Sequence, residues 1–290
     1  MATPIIEDDW TGADVSIAEI ERELARLRYA SAAESAQPNL RTSVMTHIAW
    51  VPPLWLGAAE ETLAGMAERH PSRTLLLVPR PDEPDGIDAD LSIRCFPVGD
   101  RAVCGEVIEL ALRGARAQAP ASIVLPLLVS DLPVFCRWRG QPQFGATQFE
   151  QLVDIVDRLV VDSAEWDEPG CAELVELFQR TAVSDIAWAR TAGWRAELAG
   201  YWPSIREQEI YVRGPQAEAT LLRAWLGARL GRPIRPVEPA DELGVRLGGE
   251  QLVAPRGSKT TSSDLLSAEL DKYGRDPIYE EAVAAAAANP

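Results

Sequence analysis

Val44-Met-Thr-His-Ile-Ala-Trp-Val51, the stretch Ala58–Arg69 and then Thr74-Leu-Leu-Leu-Val78 decide the fold of this chain. The first alternates as a strand does, and the second sets Leu63 and Met66 on one side of a helix. The third is a short apolar run stopped by Pro79. The order strand, helix, strand favours an α/β domain, with a mixed α+β arrangement also open.

Working outward, Ser16-Ile-Ala-Glu19 reads as a capping box. Ile17, Ile20, Leu24 and Leu27 follow at helical spacing, so a helix should run to about Ala33. Pro79–Asp88, rich in Pro, Asp and Gly, is expected as a loop. Strands are predicted over Asp90–Phe96 and Val103–Ala111. If Gly99-Asp100 is a two-residue turn, paired positions sum to 199, and Cys95 lies opposite Cys104. Strands over Ser122–Leu128 and Val134–Trp138, a helix over Ala146–Arg158 and a buried strand over Leu159–Ser163 follow. Asp131 and Pro133 break the chain before Val134.

A length of 290 residues suits two domains, and Glu165-Trp-Asp-Glu-Pro-Gly170 is the natural linker. The expectation is a domain over 1–164 and another over 170–290, each a mixed sheet packed with helices. The second should hold helices Cys171–Thr181 and Ser184–Leu198, a strand Glu209–Arg213, and a helix from Pro215 to Leu230 capped by Gly231. Short strands within Val237–Val253, a flexible Gly257–Ser263 and two final helices complete it.

Lys and Arg number 28 against 44 Asp and Glu, a net charge of −16, which repels phosphate backbones and anionic membranes. The run Ile123–Val129 is too short to span a bilayer, and the acidic N-terminus does not read as a signal peptide. The 4 cysteines include no CxxC pair, which fits a reducing, cytoplasmic compartment and gives no zinc spacing. With 2 histidines and no dinucleotide, P-loop, zinc-protease or nucleophile-elbow motif, the sequence offers no catalytic set, metal site or cofactor.

What stands out instead is 9 Trp against 5 Tyr and 5 Phe, and two Trp/Arg segments. Arg137, Trp138 and Arg139 form one; Trp188, Arg190, Trp194 and Arg195 form the other. These residue types dominate protein interfaces, although core packing or an internal Arg190–Trp194 contact on one helix serves them equally. His70, Ser72 and Arg73 could grip an anion or merely cap a helix and turn. Asp162-Ser163, at the end of a buried strand, could meet a sugar phosphate or hold a loop. Cys95 and Cys104 read as two reduced strand cysteines, with a disulfide open to them if their pair is a non-hydrogen-bonded one. Cys171, at a helix start, could carry a lowered pKa.

His70-Pro-Ser-Arg73, Cys104-Gly-Glu106, Asp131-Leu-Pro133 with Arg137-Trp138, Asp154–Ser163, Asp185-Ile-Ala-Trp-Ala-Arg190 and Trp194-Arg195 occur in this order. Together they resemble the OpcA family of glucose-6-phosphate dehydrogenase assembly proteins. The similarity extends to Asp264–Asp271 and Asp276–Glu281. It implies a two-domain, non-catalytic cytoplasmic partner that binds glucose-6-phosphate dehydrogenase and favours its assembly or active state. It also implies a link to thioredoxin-dependent control, for which Cys95 and Cys104 would be the redox pair.

Overall fold

The computed structural model describes residues 6–34, 39–40, 43–66, 69–70, 72–98, 101–255 and 260–288. It divides into two units, Met1–Leu159 and Val160–Pro290. The division falls inside a strand, and the Glu165–Gly170 stretch lies wholly within the second unit.

The first unit runs β1 (Ile6–Gly12), α1 (Ile17–Glu34), β2 (Asn39–Leu40), β3 (Thr46–Trp50), α2 (Leu56–Ala64), β4 (Arg73–Arg80), β5 (Gly86–Val98) and β6 (Arg101–Arg113). It continues with α3 (Pro120–Leu127), β7 (Val134–Trp138), α4 (Thr147–Val153) and β8 (Arg158–Val161), which carries the chain across the division. Its sheet has the order β1-β5-β6-β4-β3-β7-β8. The strand–helix–strand reading holds: β3 and β4 are parallel, with Thr46 beside Arg73, and β3 is also parallel to β7. The strand β4 lies parallel to β6, while β5 and β1 add antiparallel strands at one edge, so the sheet is mixed.

Ser16 Oγ accepts the Glu19 amide at 3.2 Å, and Ile20, Leu24 and Leu27 bury the apolar stripe of α1, which contacts β1 and β5. A second cluster gathers Ala49, Val51, Leu76 and Val78 from the sheet with Ala59, and Trp55, Leu56 and Leu63 pack against it. In-register Trp50 and Trp138 stack with ring centroids 5.0 Å apart and planes 13° from parallel, and Phe149 closes edge-on at 4.9 Å. Asp131 takes the left-handed φ of 64°, reversing the chain before β7 as the break in sequence suggested.

The β5–β6 ladder has the register read from sequence, with Cys95 opposite Cys104, although Gly99 and Asp100 lie outside the described residues. The Cα atoms are 4.0 Å apart and the two sulfurs are bonded, which overturns the expectation of reduced thiols. Directly facing positions of such a ladder bring the side chains within bonding reach.

Other elements depart from the sequence reading for identifiable reasons. Ser122–Leu128 is helical (α3), because Pro120 starts a turn and Ile123, Val124 and Leu127 bury at helical spacing while Leu125 is exposed. A wholly apolar run carries no period by which to choose helix or strand. The acidic Ile6–Gly12 pairs with β5 as an edge strand, a place where charge is favourable because it discourages further pairing. The helix α4 ends at Val153, earlier than expected.

The second unit holds α5 (Cys171–Leu177), β9 (Ala182–Asp185), α6 (Ile186–Arg190), α7 (Ala192–Ala199), β10 (Ile210–Gly214) and α8 (Gln216–Leu230). It closes with β11 (Glu238–Pro239), β12 (Gly244–Leu247), β13 (Glu250–Gln251), α9 (Ser262–Leu270) and α10 (Pro277–Ala288). The helix expected over Ser184–Leu198 is instead a strand end and two helices broken at Thr191. A four-stranded sheet, β11-β10-β12-β13, buries Ile210, Val212, Val245 and Leu247 against Ala219, Leu222 and Leu226 of α8. Gly231 ends α8 at φ 63°, as its position predicted. The alanine-rich α10 packs on α5 and α8 through Tyr279, Ala282, Val283 and Ala286. The loop Gly257–Lys259 lies outside the described residues.

Candidate functional site

In the first unit, α2 and the strands β1, β5, β6 and β4 bound a cavity of about 560 Å³. His47, His70, Ser72, Thr74 and Glu106 line it, together with Glu60, Glu61, Asp90, Glu109 and Arg94. The guanidinium expected to grip an anion is spent elsewhere. Arg73 donates through Nε to Glu106 at 2.9 Å and through Nη1 to the Leu127 carbonyl at 2.7 Å. Arg28 binds the same carboxylate at 2.7 and 2.8 Å. Burial alone would raise the Glu106 carboxyl, but the hydrogen bonds from Arg28 and the charge of Arg73 outweigh it and hold it low. Ser72 Oγ lies 3.3 Å from Thr74 Oγ1. Burial, then the charges of Arg137 and His70, push His47 down to about 4, so it is a neutral imidazole. Around the cavity Glu60 and Asp90 add to the burial that raises Glu109. Such a surround repels a phosphate.

In the second unit, Asp162 at the end of β8 is held by both terminal nitrogens of Arg190, at 2.9 and 2.6 Å, and accepts from the Ala164 amide at 3.2 Å. Arg190 Nη1 also reaches Glu218 of α8 at 3.2 Å. One residue on, Ser163 donates its amide (3.0 Å) and hydroxyl (2.7 Å) to Asp185, which also takes the Ala187 amide at 2.9 Å and the Tyr279 hydroxyl at 3.3 Å. Burial raises the Asp185 carboxyl to about 6, with the charge of Asp162 adding to the effect against the donors' pull. The residues singled out for a substrate thus tie β8, α6, α8 and α10 together. His70, Ser72 and Arg73 belong to the first unit and Asp162 to the second.

An adjoining cavity of about 580 Å³ is lined by Cys171, Asp185, Glu218 and Trp166 among others. Cys171 opens α5, yet burial, Asp185 and Glu173 push its thiol up to about 11, opposite to the lowering its position suggested. Among the described residues no group of three or more His, Cys, Asp or Glu is placed to hold a metal ion, and no helix is long and apolar enough to cross a membrane.

The Trp/Arg residues are mostly interior. Trp138, Trp188 and Trp194 are 3%, 2% and 5% exposed, and Arg137 and Arg139 only 2% and 8%. Arg137 donates to the Trp138 carbonyl, and Arg139 lies 4.9 Å from the centre of the Trp55 ring. The helix break at Thr191 replaces the anticipated Arg190–Trp194 contact: Arg195 stacks 3.6 Å over Trp188, whose Nε1 donates to Asp276 at 3.1 Å. Sequence reasoning gave no site role to Tyr279, Asp276, Glu218 or Glu106, which complete these networks. A signal for Asp276 was present, since Asp followed by Pro at a helix start is a capping pattern.

Residues 64–178 match the family model of OpcA and glucose-6-phosphate dehydrogenase assembly, described as "Glucose-6-phosphate dehydrogenase subunit N-terminal domain". Three relatives share the name "Putative OxPP cycle protein OpcA". The one from Nostoc punctiforme is 29% identical over 57% of this chain and 39% of its own length. That from Synechocystis sp. is 25% identical over 57% of this chain and 38% of its own length. In Synechococcus elongatus the relative is 23% identical over 76% of this chain and 68% of its own length. The chain therefore spans well under half of the first two relatives. No solved structure matches it. By its match over residues 64–178 and by the stretches shared with these relatives, the chain is similar to the OpcA family.

Proposed function

We propose that this protein is a non-catalytic assembly factor and allosteric activator that binds glucose-6-phosphate dehydrogenase in the oxidative pentose phosphate pathway, in the cytoplasm. The family match over residues 64–178 carries this reading. The geometry is consistent with it: the polar groups at the ends of β8 and β9 are consumed by one another, and Arg190, Asp162 and Asp185 hold elements in place. An activator must bind one state of the enzyme more tightly than the other, and a tenfold shift needs about 1.4 kcal/mol of differential affinity. Mixing the full chain with the dehydrogenase should give a larger species on size exclusion, together with a lower KM or a higher rate. An unchanged elution volume with unchanged kinetics would reject the proposal.

A thioredoxin-responsive role for Cys95–Cys104 belongs to the same reading. Cys95 is fully buried and Cys104 is 9% exposed, so a thiolate reaches the bond only if the hairpin tip opens. Incubation with reduced thioredoxin should then free both thiols and change activation of the dehydrogenase; reduction without kinetic effect would confine the bond to a structural role.

A further inference from the structure

The interface-type side chains that the sequence put forward lie mostly inside, whereas the C-terminal sheet keeps arginines toward the surface. The sheet β11-β10-β12-β13 buries only one face. Ile210, Val212, Val245 and Leu247 point into the core, and by strand alternation Glu209, Tyr211 and Arg213 share the other face. Tyr211 pairs directly with Arg246 of β12, and Arg213 with Gly244. Two guanidinium groups stack on the Tyr211 ring, Arg246 at 4.1 Å and Arg235 at 4.8 Å from its centre. Tyr211 Oη donates to Glu209 at 2.9 Å, and Arg235 joins the same carboxylate at 3.0 Å. That fixes the ring and Arg235. Arg213, which is exposed, and Arg246, which is half-buried, have no carboxylate within ion-pair distance among the described residues. Even Glu238, beside Arg213 in the β10–β11 register, is not within that distance.

Three arginines against Glu209 and Glu238 leave this face positive on a chain whose net charge is −16. Arginines braced on an aromatic ring lose little side-chain freedom on binding, and their forked donors match carboxylates. Both features belong to interface anchors. We propose that the Tyr211–Arg213–Arg246 face of the C-terminal sheet docks an acidic, carboxylate-bearing segment of the partner protein. Its source is the dehydrogenase, and that assignment rests on the function proposed above.

The test uses the full chain and two double variants, R213E/R246E and R213K/R246K, with melting temperatures checked first. Arg213 is exposed and Arg246 is half-buried against Tyr211, so melting should fall only slightly; if the Glu pair unfolds the chain, R213Q/R246Q replaces it. Dehydrogenase binding should weaken at least tenfold in the charge-reversed variant and by less than that in the Lys variant, which keeps the charge but not the fork. Binding equal to wild type after charge reversal overturns the docking surface and leaves the assembly function standing. If the wild-type chain binds no dehydrogenase, the assembly reading falls, and a hexaglutamate peptide titrated into 15N-labelled chain decides the face alone. Shifts confined to the Arg213 and Arg246 side-chain signals and lost in the variants support it. No shifts, or equal shifts with inorganic phosphate at the same concentration, overturn it.

Discussion

Arg190 shows how a residue read as surface chemistry becomes an internal brace. Its guanidinium neutralises Asp162 and Glu218, whose side chains are only 5% and 8% exposed. Removing it leaves two buried carboxylates with no cation, a loss on the order of 3 kcal/mol. Arg190→Ala should therefore lower the urea midpoint of the second unit markedly, and Asp162→Asn in the same chain should recover part of the loss. Equal stability of Arg190→Ala and wild type would show that the pair is solvated. Residue type suggested an interface for these arginines, and nothing local argued otherwise. The carboxylate partners of Arg190 lie 28 residues away in either direction, so burial of the charge is a tertiary fact.

Legibility at the level of elements followed period and turn chemistry. The β5–β6 register could be read because a two-residue turn fixes every pair behind it; α3 could not, because Ile123–Leu128 is apolar on every side. Likewise β9 and the break at Thr191 hid within a stretch whose spacing suits one continuous helix. The β5–β6 hairpin also carries a prediction. Its disulfide joins positions 9 apart, so loop-closure entropy assigns it about 2–3 kcal/mol. A Cys95→Ser/Cys104→Ser chain should unfold at correspondingly lower denaturant yet keep its strand content by circular dichroism, since the ladder from Gly86 to Arg113 does not depend on the bond. Loss of the sheet signal would mean that the bond is needed for folding itself.

Across the whole molecule, the two units should answer acid in opposite ways. His47 is pushed from 6.5 to about 4 by burial, so as pH falls through that range the unfolded chain takes up a proton that the native first unit refuses, and stability is lost. Asp185 moves from 3.8 to about 6, so over that window the native second unit holds a proton that the unfolded chain has released, and stability declines as pH rises. Each effect is bounded on the order of 3 kcal/mol. Opening free energies from amide exchange between pH 4 and 6.5 should fall on acidification in β3 and β4 and rise in β9 and α6. Asp185→Asn should flatten the second response alone, and parallel behaviour of the two units would refute the assignment.

Following the units separately requires a label on one of them, and the stacked indoles of Trp50 and Trp138 supply it. At 5.0 Å and nearly parallel, the transitions of the two rings couple, so the pair has an excitonic dichroism of its own that neither ring shows alone. Both lie in the first unit, on neighbouring strands that separate when its sheet melts. Melting of that unit can thus be read optically in the intact chain, without any dye or cut.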